Sequence, residues 1–453
     1  MKKFIFILLI IIGLTLIVPY SYCQDNESSM SFDLSLTEAI TLAFKNNKDI
    51  QIQEEEIVIA KANIGGARSQ FLPKLNLNAG YNHNAAVTKV SPQGSKKDPG
   101  IFTGYENDNR LGVSLDESIF NGGANIANLE QAQLGLKVQQ ESLRARKLDV
   151  EFETKRLYYG LLLAYETERI AQNLLSQAQS HYADAENKFS QGTASKFDML
   201  QSKVQVSKVM PELIKAKNAA DLIAAQLKKL LGIKMRETIR LKDRLEYSLV
   251  TIDESEFLKQ AYLNKPEMIL KSLGVDISKW SIQMAKAAWR PQINAEAGYS
   301  YRSDNVANMF IERHNNWNAG VSVTIPLFDG FASKAKVDAA QVRYAQANLE
   351  KEDLIDQIAV DVRRACLDLN QAKAIIDSSQ DNIAEAKEAL KIAGVSFDNG
   401  EGTNLEILDA QVSLSQIEEN YSSAIYDYLM AKAFLDRTTG LNYLEEAKNE
   451  KKD

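Results

Sequence analysis

The chain has 453 residues, with 53 basic and 60 acidic side chains, a formal net charge of −7, 2 cysteines and 8 prolines. So mild a negative charge spread over this length argues against nucleic acid as a partner. With Cys23 inside an N-terminal leader, Cys366 is the only cysteine of a mature chain. That excludes a disulfide framework and a cysteine-based zinc site, and Cys366 reads as a small packed residue.

From Met1 to Cys23 two lysines precede an apolar run, Phe4 to Val18, and then small and polar residues. This is the layout of a secretory signal peptide, and the run is short for a spanning helix. Cleavage after Cys23, with Ser21 three positions from the cut, fits; the rival is a lipidated Cys23, against which bulky Tyr22 counts. No later apolar run is long enough for a transmembrane helix.

Residues 24–232 read as one unit. The helical phrases SLTEAITLAFKN and KDIQIQEEEIVIAKANIGGARSQ lead into a strand at 73–83. There Leu75, Leu77, Ala79 and Tyr81 alternate with Asn76, Asn78, Gly80 and Asn82. After a polar loop, a strand at 109–121 sets Leu111, Val113 and Leu115 against Gly112, Ser114 and Asp116. Period-two alternation over about ten residues is the strand signature, and also the length that crosses a bilayer at a tilt. No proline lies between Gly100 and Met210 or after Pro326, which calls for long helices. A helical hairpin is therefore expected over 124–231, reversed at Gly192 and Thr193 and bent at Pro211. Residues 233–257 form a connector without a clear assignment.

The phrases of this unit then recur. Residues 112 to 114, 120 and 122 match their counterparts at an offset of 208, as does Gly232 with Gly440, while Pro73 and Pro291 match at 218. The difference falls between Tyr81 and Leu111, so residues 258–440 are a second copy with a shorter loop. Its strands are expected at 291–301 (Ile293, Ala295, Ala297, Tyr299, Tyr301 on one face) and 317–328 (Trp317, Ala319, Val321, Val323, Ile325). Its helical hairpin is expected over 332–438, reversed between Gly400 and Thr403. Residues 441–453 are a charged tail, expected to be disordered.

Four strands with one apolar face cannot stand alone in lipid, which tolerates no open sheet edge. Closure takes about eight strands or more, so sister chains must supply the rest. Two chains give eight strands and a filled interior; three give twelve and room for a pore. The small polar inward set (Gly, Ser, Asn, Thr) suits a wet lumen.

The chain resembles the TolC-like outer-membrane efflux proteins over nearly all of its mature length. The carriers are LSLTEAITLAFKNNKDI, QFLPKLNLNAGY with WRPQINAEAGY, SIFNGG with PLFDG, and FSQGTASKFDML with FDNGEGTNLEILDAQ. The resemblance implies a homotrimer, with a twelve-stranded barrel in the outer membrane, a twelve-helix periplasmic tunnel and an equatorial band. It implies outer-membrane lipid, a periplasmic adaptor and an inner-membrane transporter as partners, and no cofactor. Lys48 departs from the family's usual proline, which Pro266 keeps.

Glu406 and Asp409 stand three residues apart and so share a helix face. By resemblance, three copies converge as an acidic ring at the periplasmic mouth, favouring cations. The first-copy counterparts, Asp198 and Gln201, keep one acid. From the residues alone, these carboxylates equally suit a helix N-terminus. Gly192, Thr193, Gly400, Gly402 and Thr403 would dock the adaptor, or simply reverse the chain. His83, His181 and His314 lie far apart, with no nucleophile motif, phosphate loop or metal-ligand spacing, so no enzyme is expected. The competing readings are a periplasmic adaptor, which should carry one hairpin and a lipoyl-like domain, and a secreted coiled coil.

Overall fold

A computed structural model describes residues 31–85, 88–90, 101–103, 105–310 and 315–441. The leader with Cys23, His314 and tail residues 442–453 lie outside the described residues.

In chain order the elements begin with β1 (Ser31–Leu34), α1 (Leu36–Asn46), α2 (Lys48–Ser69) and β2 (Lys74–His83). A small loop pair, β3 (Thr88–Val90) and β4 (Ile101–Thr103), precedes β5 (Asn107–Asn121), α3 (Ala124–Ser190) and α4 (Lys196–Leu231). The second half runs β6 (Thr238–Leu241), α5 (Glu254–Asn264), α6 (Pro266–Ala287), β7 (Gln292–Ser303), β8 (Asn315–Thr324), α7 (Ala332–Asp398) and α8 (Asn404–Thr439). The helices of the two halves match in length: 11, 22, 67 and 36 residues, each twice. At 1.5 Å per residue α3 and α7 are each about 100 Å long.

The helices start and stop where the local chemistry dictates. Ser35, Ser195 and Thr403 each cap a helix and are answered by an acid three residues on, Glu38, Asp198 and Glu406. Gly232 and Gly440 end α4 and α8 in the left-handed conformation. Pro211, expected to bend its helix, lies inside the single helix α4 on an exposed face. There water can replace the hydrogen bond that its ring removes.

β2, β5, β7 and β8 form one antiparallel sheet in that order. The connector, unreadable in the sequence, supplies β6, which pairs in parallel with β1. Tyr158 clasps this join from α3, its hydroxyl donating to the Leu34 carbonyl (2.9 Å) and to Asp243 Oδ2 (2.7 Å). Around it Ile40, Ile50, Leu161, Leu227, Leu231 and Ile239 make the main apolar core, midway along the helical part. A second core joins Leu369 and Ile376 of α7 to Tyr428 and Leu435 of α8. Between the halves, buried Lys155 binds Glu151 (2.9 Å) and Asp436 (3.0 Å). Burial opposes the ammonium charge, but the two carboxylates outweigh it and raise its pKa.

Candidate functional site: a two-faced sheet and a helical tip

The register of the sheet aligns side chains of one character across all four strands. Leu77 faces Val113, which faces Tyr299, which faces Trp317. The next rows hold Leu75, Leu115, Ala297 and Ala319, then Ala79, Leu111 and Tyr301. Toward the helices, Ala295 faces Val321 and Ile293 faces Val323. This face is bare within the chain: Leu77 is 72% and Trp317 73% exposed, and Leu75, Tyr81, Val113, Tyr299, Val321 and Val323 are exposed too, with Leu111 and Ile293 half-buried. The opposite face sets Asn76, Ser114, Gly298 and Asn318 in one row and Asn78, Gly112, Ser300 and Asn316 in the next. A Cβ on Gly298 would come within 2.7 Å of Asn318 Oδ1, so a side chain there would push the exposed Asn318 amide aside. Farther from the helices on this face, Asp108 is buried between Arg302 (2.7 and 2.9 Å) and Arg110 (2.8 Å).

Among the described residues no strand pairs with the outer edge of β2 or β8. Residues 325–328, expected to continue the last strand, lie beyond its end at Thr324. Among the described residues no strand pairs with their backbone, and Pro326 has no N–H to offer. A sheet with two free edges and a greasy face is an unfinished wall.

The far ends of the helices form the second candidate region. Gly192 (φ +75°) and Gly400 (φ +76°) take the left-handed conformation that reverses the chain. The Thr193 N–H donates to the Lys188 carbonyl (2.9 Å) and the Gly402 N–H to that of Ser396 (3.0 Å). Glu406 Oε2 accepts the Thr403 N–H (2.9 Å), while Thr403 Oγ1 accepts the Glu406 N–H (3.3 Å). Asp198 does the same for Ser195. Both acids therefore cap their helices, and Asp409 is exposed one turn beyond Glu406.

Between the two tips lies a polar node that sequence reading missed. Asn404 Nδ2 donates to Gln201 Oε1 (2.9 Å) and to the Asp198 carbonyl (3.3 Å). That carbonyl can only accept, which turns Asn404 Oδ1 toward Ser202 Oγ (3.1 Å) and His181 Nε2 (2.5 Å). The His181 ring thus carries a proton on Nε2, and its edge packs on Phe397. His181, Ser202 and Asn404 are all buried. Lys188 reinforces the join, over the Phe397 ring and 3.0 Å from Asp398. A signal was present: at the 208 offset these residues stand opposite Ala389, Ala410 and Lys196. His83, by contrast, sits on β2 beside Asn107.

The Outer membrane efflux protein family model matches residues 39–233 and 257–441. The outer membrane protein TolC of Vibrio cholerae is 21% identical over 83% of this chain and 84% of its own length. The alkaline protease secretion protein AprF of Pseudomonas aeruginosa is 22% identical over 92% and 86%. Among solved structures, the Campylobacter jejuni CmeC outer membrane channel superposes with a TM-score of 0.77 at 19% identity, over 95% of this chain and 93% of that one. With both halves matched and the fold shared along nearly its whole length, the chain belongs to the outer membrane efflux protein family.

Proposed function

We propose that this chain is one of three identical subunits of an outer-membrane exit duct. The observation that carries the reading is the four-stranded sheet, apolar on one face, small and polar on the other, and unpaired at both edges. β2 spans 10 residues, or about 33 Å, enough for the hydrocarbon layer. Three copies place twelve strands around a water-filled lumen, with the helices continuing it through the periplasm. Four strands per chain, running alternately up and down, let β8 of each copy meet β2 of the next antiparallel, so a ring closes without a mismatched edge.

The duct is passive: an inner-membrane transporter supplies energy, and a periplasmic adaptor docks at the tips around Gly192, Thr193, Gly400, Gly402 and Thr403. Glu406 and Asp409, with Asp198 weaker, place carboxylates at the periplasmic mouth, where they favour cations. The capping bonds of Glu406 and Asp198 fix each carboxylate in place. Relatives named for alkaline protease secretion and for cation efflux support the two cargo classes, secreted protein and small solute. Purified full-length protein added to a planar bilayer should give discrete conductance steps; a protein that inserts but never conducts would remove the duct reading.

A further inference from the structure

Near the end of the sheet away from the helices, the polar face carries two arginines directly opposite each other. Arg110 of β5 pairs in register with Arg302 of β7. Like charges so placed oppose strand pairing. Asp108 offsets the repulsion by binding both. Arg302 grips its two oxygens, Nε donating to Oδ1 (2.7 Å) and Nη2 to Oδ2 (2.9 Å), and Arg110 donates to Oδ2 through Nε (2.8 Å) and Nη2. The Asp108 side chain is 1% exposed, whereas those of Arg302 and Arg110 are 48% and 60% exposed. Two guanidiniums share one carboxylate, so one positive charge per chain is left over on this face.

The internal repeat shows that the strands can form without these charges. At the offsets of 208 and 218, the counterparts of Asp108, Arg110 and Arg302 are Asn316, Asn318 and Asn84. The corresponding ends of β8 and β2 are therefore built with neutral residues, and the charges are an addition to the β5–β7 seam.

That addition has the geometry of an anion site. Each guanidinium has five N–H groups and uses two on Asp108; among the described residues the other three on each have no hydrogen-bond partner. Arg302 is also held over the Tyr105 ring, 5.7 Å from its centre. Glu106 and Asp304 are exposed just outside the strands, and among the described residues neither forms an ion pair with the arginines. Toward the helices on the same face, the nearest charged row is Asp116 opposite Glu296 and Lys74. It stands six residues along β5 from Arg110, or about 20 Å. That is more than the screening length of about 8 Å at physiological salt, so the two rows act separately.

We propose that Arg110 and Arg302, pinned by Asp108, form an oxyanion-binding collar inside the outer exit of the duct, taking phosphate or carboxylate groups of passing solutes; this rests on the duct reading above. Three copies place six guanidiniums and three carboxylates around the lumen. A guanidinium fork matches two oxygens of a phosphate or carboxylate, and a ring of arginines in a pore favours anions. The collar is thus opposite in sign to the carboxylates of the periplasmic mouth.

The test uses full-length protein in planar bilayers at about 0.1 M salt, where screening still leaves a reach of about 10 Å. Tripolyphosphate, and in separate runs citrate, is added first on the barrel side and then on the helical side. Wild-type pores should be blocked from the barrel side at concentrations that leave them open from the helical side, and the two probes tell a phosphate site from a carboxylate site. Removing both arginines alone would leave Asp108 buried without a partner. One variant is therefore Asp108→Asn with Arg110→Asn and Arg302→Asn, the residues that the repeat itself carries; the other is Arg110→Gln, which keeps the two-pronged Arg302–Asp108 pair. Each should need about tenfold more anion for half-block, the loss of a charge-assisted hydrogen bond. Wild-type pores that neither anion blocks, or half-block unchanged in Arg110→Gln or the triple variant, would overturn the collar and leave the duct standing. A protein that inserts but never conducts would overturn the duct reading and the collar with it.

Discussion

Replacing Asn404 by alanine should loosen the two helical hairpins at their tips. The amide makes four hydrogen-bonding contacts, to Gln201, Asp198, Ser202 and His181, and its loss strands the buried His181 ring, while Ser202 keeps its bond to the Asp198 carbonyl (3.0 Å). Net worth per hydrogen bond is about 1 kcal/mol, and orphaning a buried polar group costs about 1–3 kcal/mol, so roughly 2–4 kcal/mol of local stability should go. Hydrogen exchange reads that loss directly, because tips open locally rather than by global unfolding. At 1.4 kcal/mol per tenfold, amides near Ser190 and Asn399 should exchange about 30- to 700-fold faster. Asp398→Ala, which removes only the exposed ion pair to Lys188, should change exchange there by less than about fivefold. Equal exchange in wild type and Asn404→Ala would refute the node as the join between the hairpins.

Leu77 and Asn78 are neighbours on opposite faces of β2, so Leu77→Arg should weaken assembly into lipid vesicles by about 2–4 kcal/mol while Asn78→Arg assembles nearly normally. Glu406→Ala with Asp409→Ala should reduce cation preference in planar bilayers; reversal potentials equal to wild type would clear these acids of that role. Glu38 is held at a pKa of about 2, chiefly by the Ser35 backbone N–H and then by the Lys242 ammonium. Folding lowers this pKa, so its contribution is present above the unfolded value of about 4.3 and fades as pH falls from there through about 2. Amide exchange around β1 and β6 should therefore rise over that window, and Glu38→Gln should flatten the rise.

Much of the fold was written in periodicities that one chain displays without its neighbours. Leu75, Leu77, Ala79 and Tyr81 alternate with polar residues so that one side of the sheet is apolar, and α3 can be seen as one long helix because nothing in it breaks one. β1 and β6 stayed hidden because four residues are too few to show a period, and their pairing joins positions about two hundred residues apart. Where the last strand was expected to reach 328, no strand among the described residues supplies a partner past Thr324. The carboxylates at 198 and 406 were visible as acids near turns, but their caps needed coordinates. His181, Ser202 and Asn404 are three isolated polar residues on three helices, and only the packing of both hairpins brings them together.

The central claim is that a partial wall is completed by identical copies, and counting the copies tests it most directly. Native mass spectrometry of the full-length protein, extracted from membranes in mild detergent, should return three chains per particle with the strands intact. A single folded chain per particle, its sheet edges bare, would contradict the account.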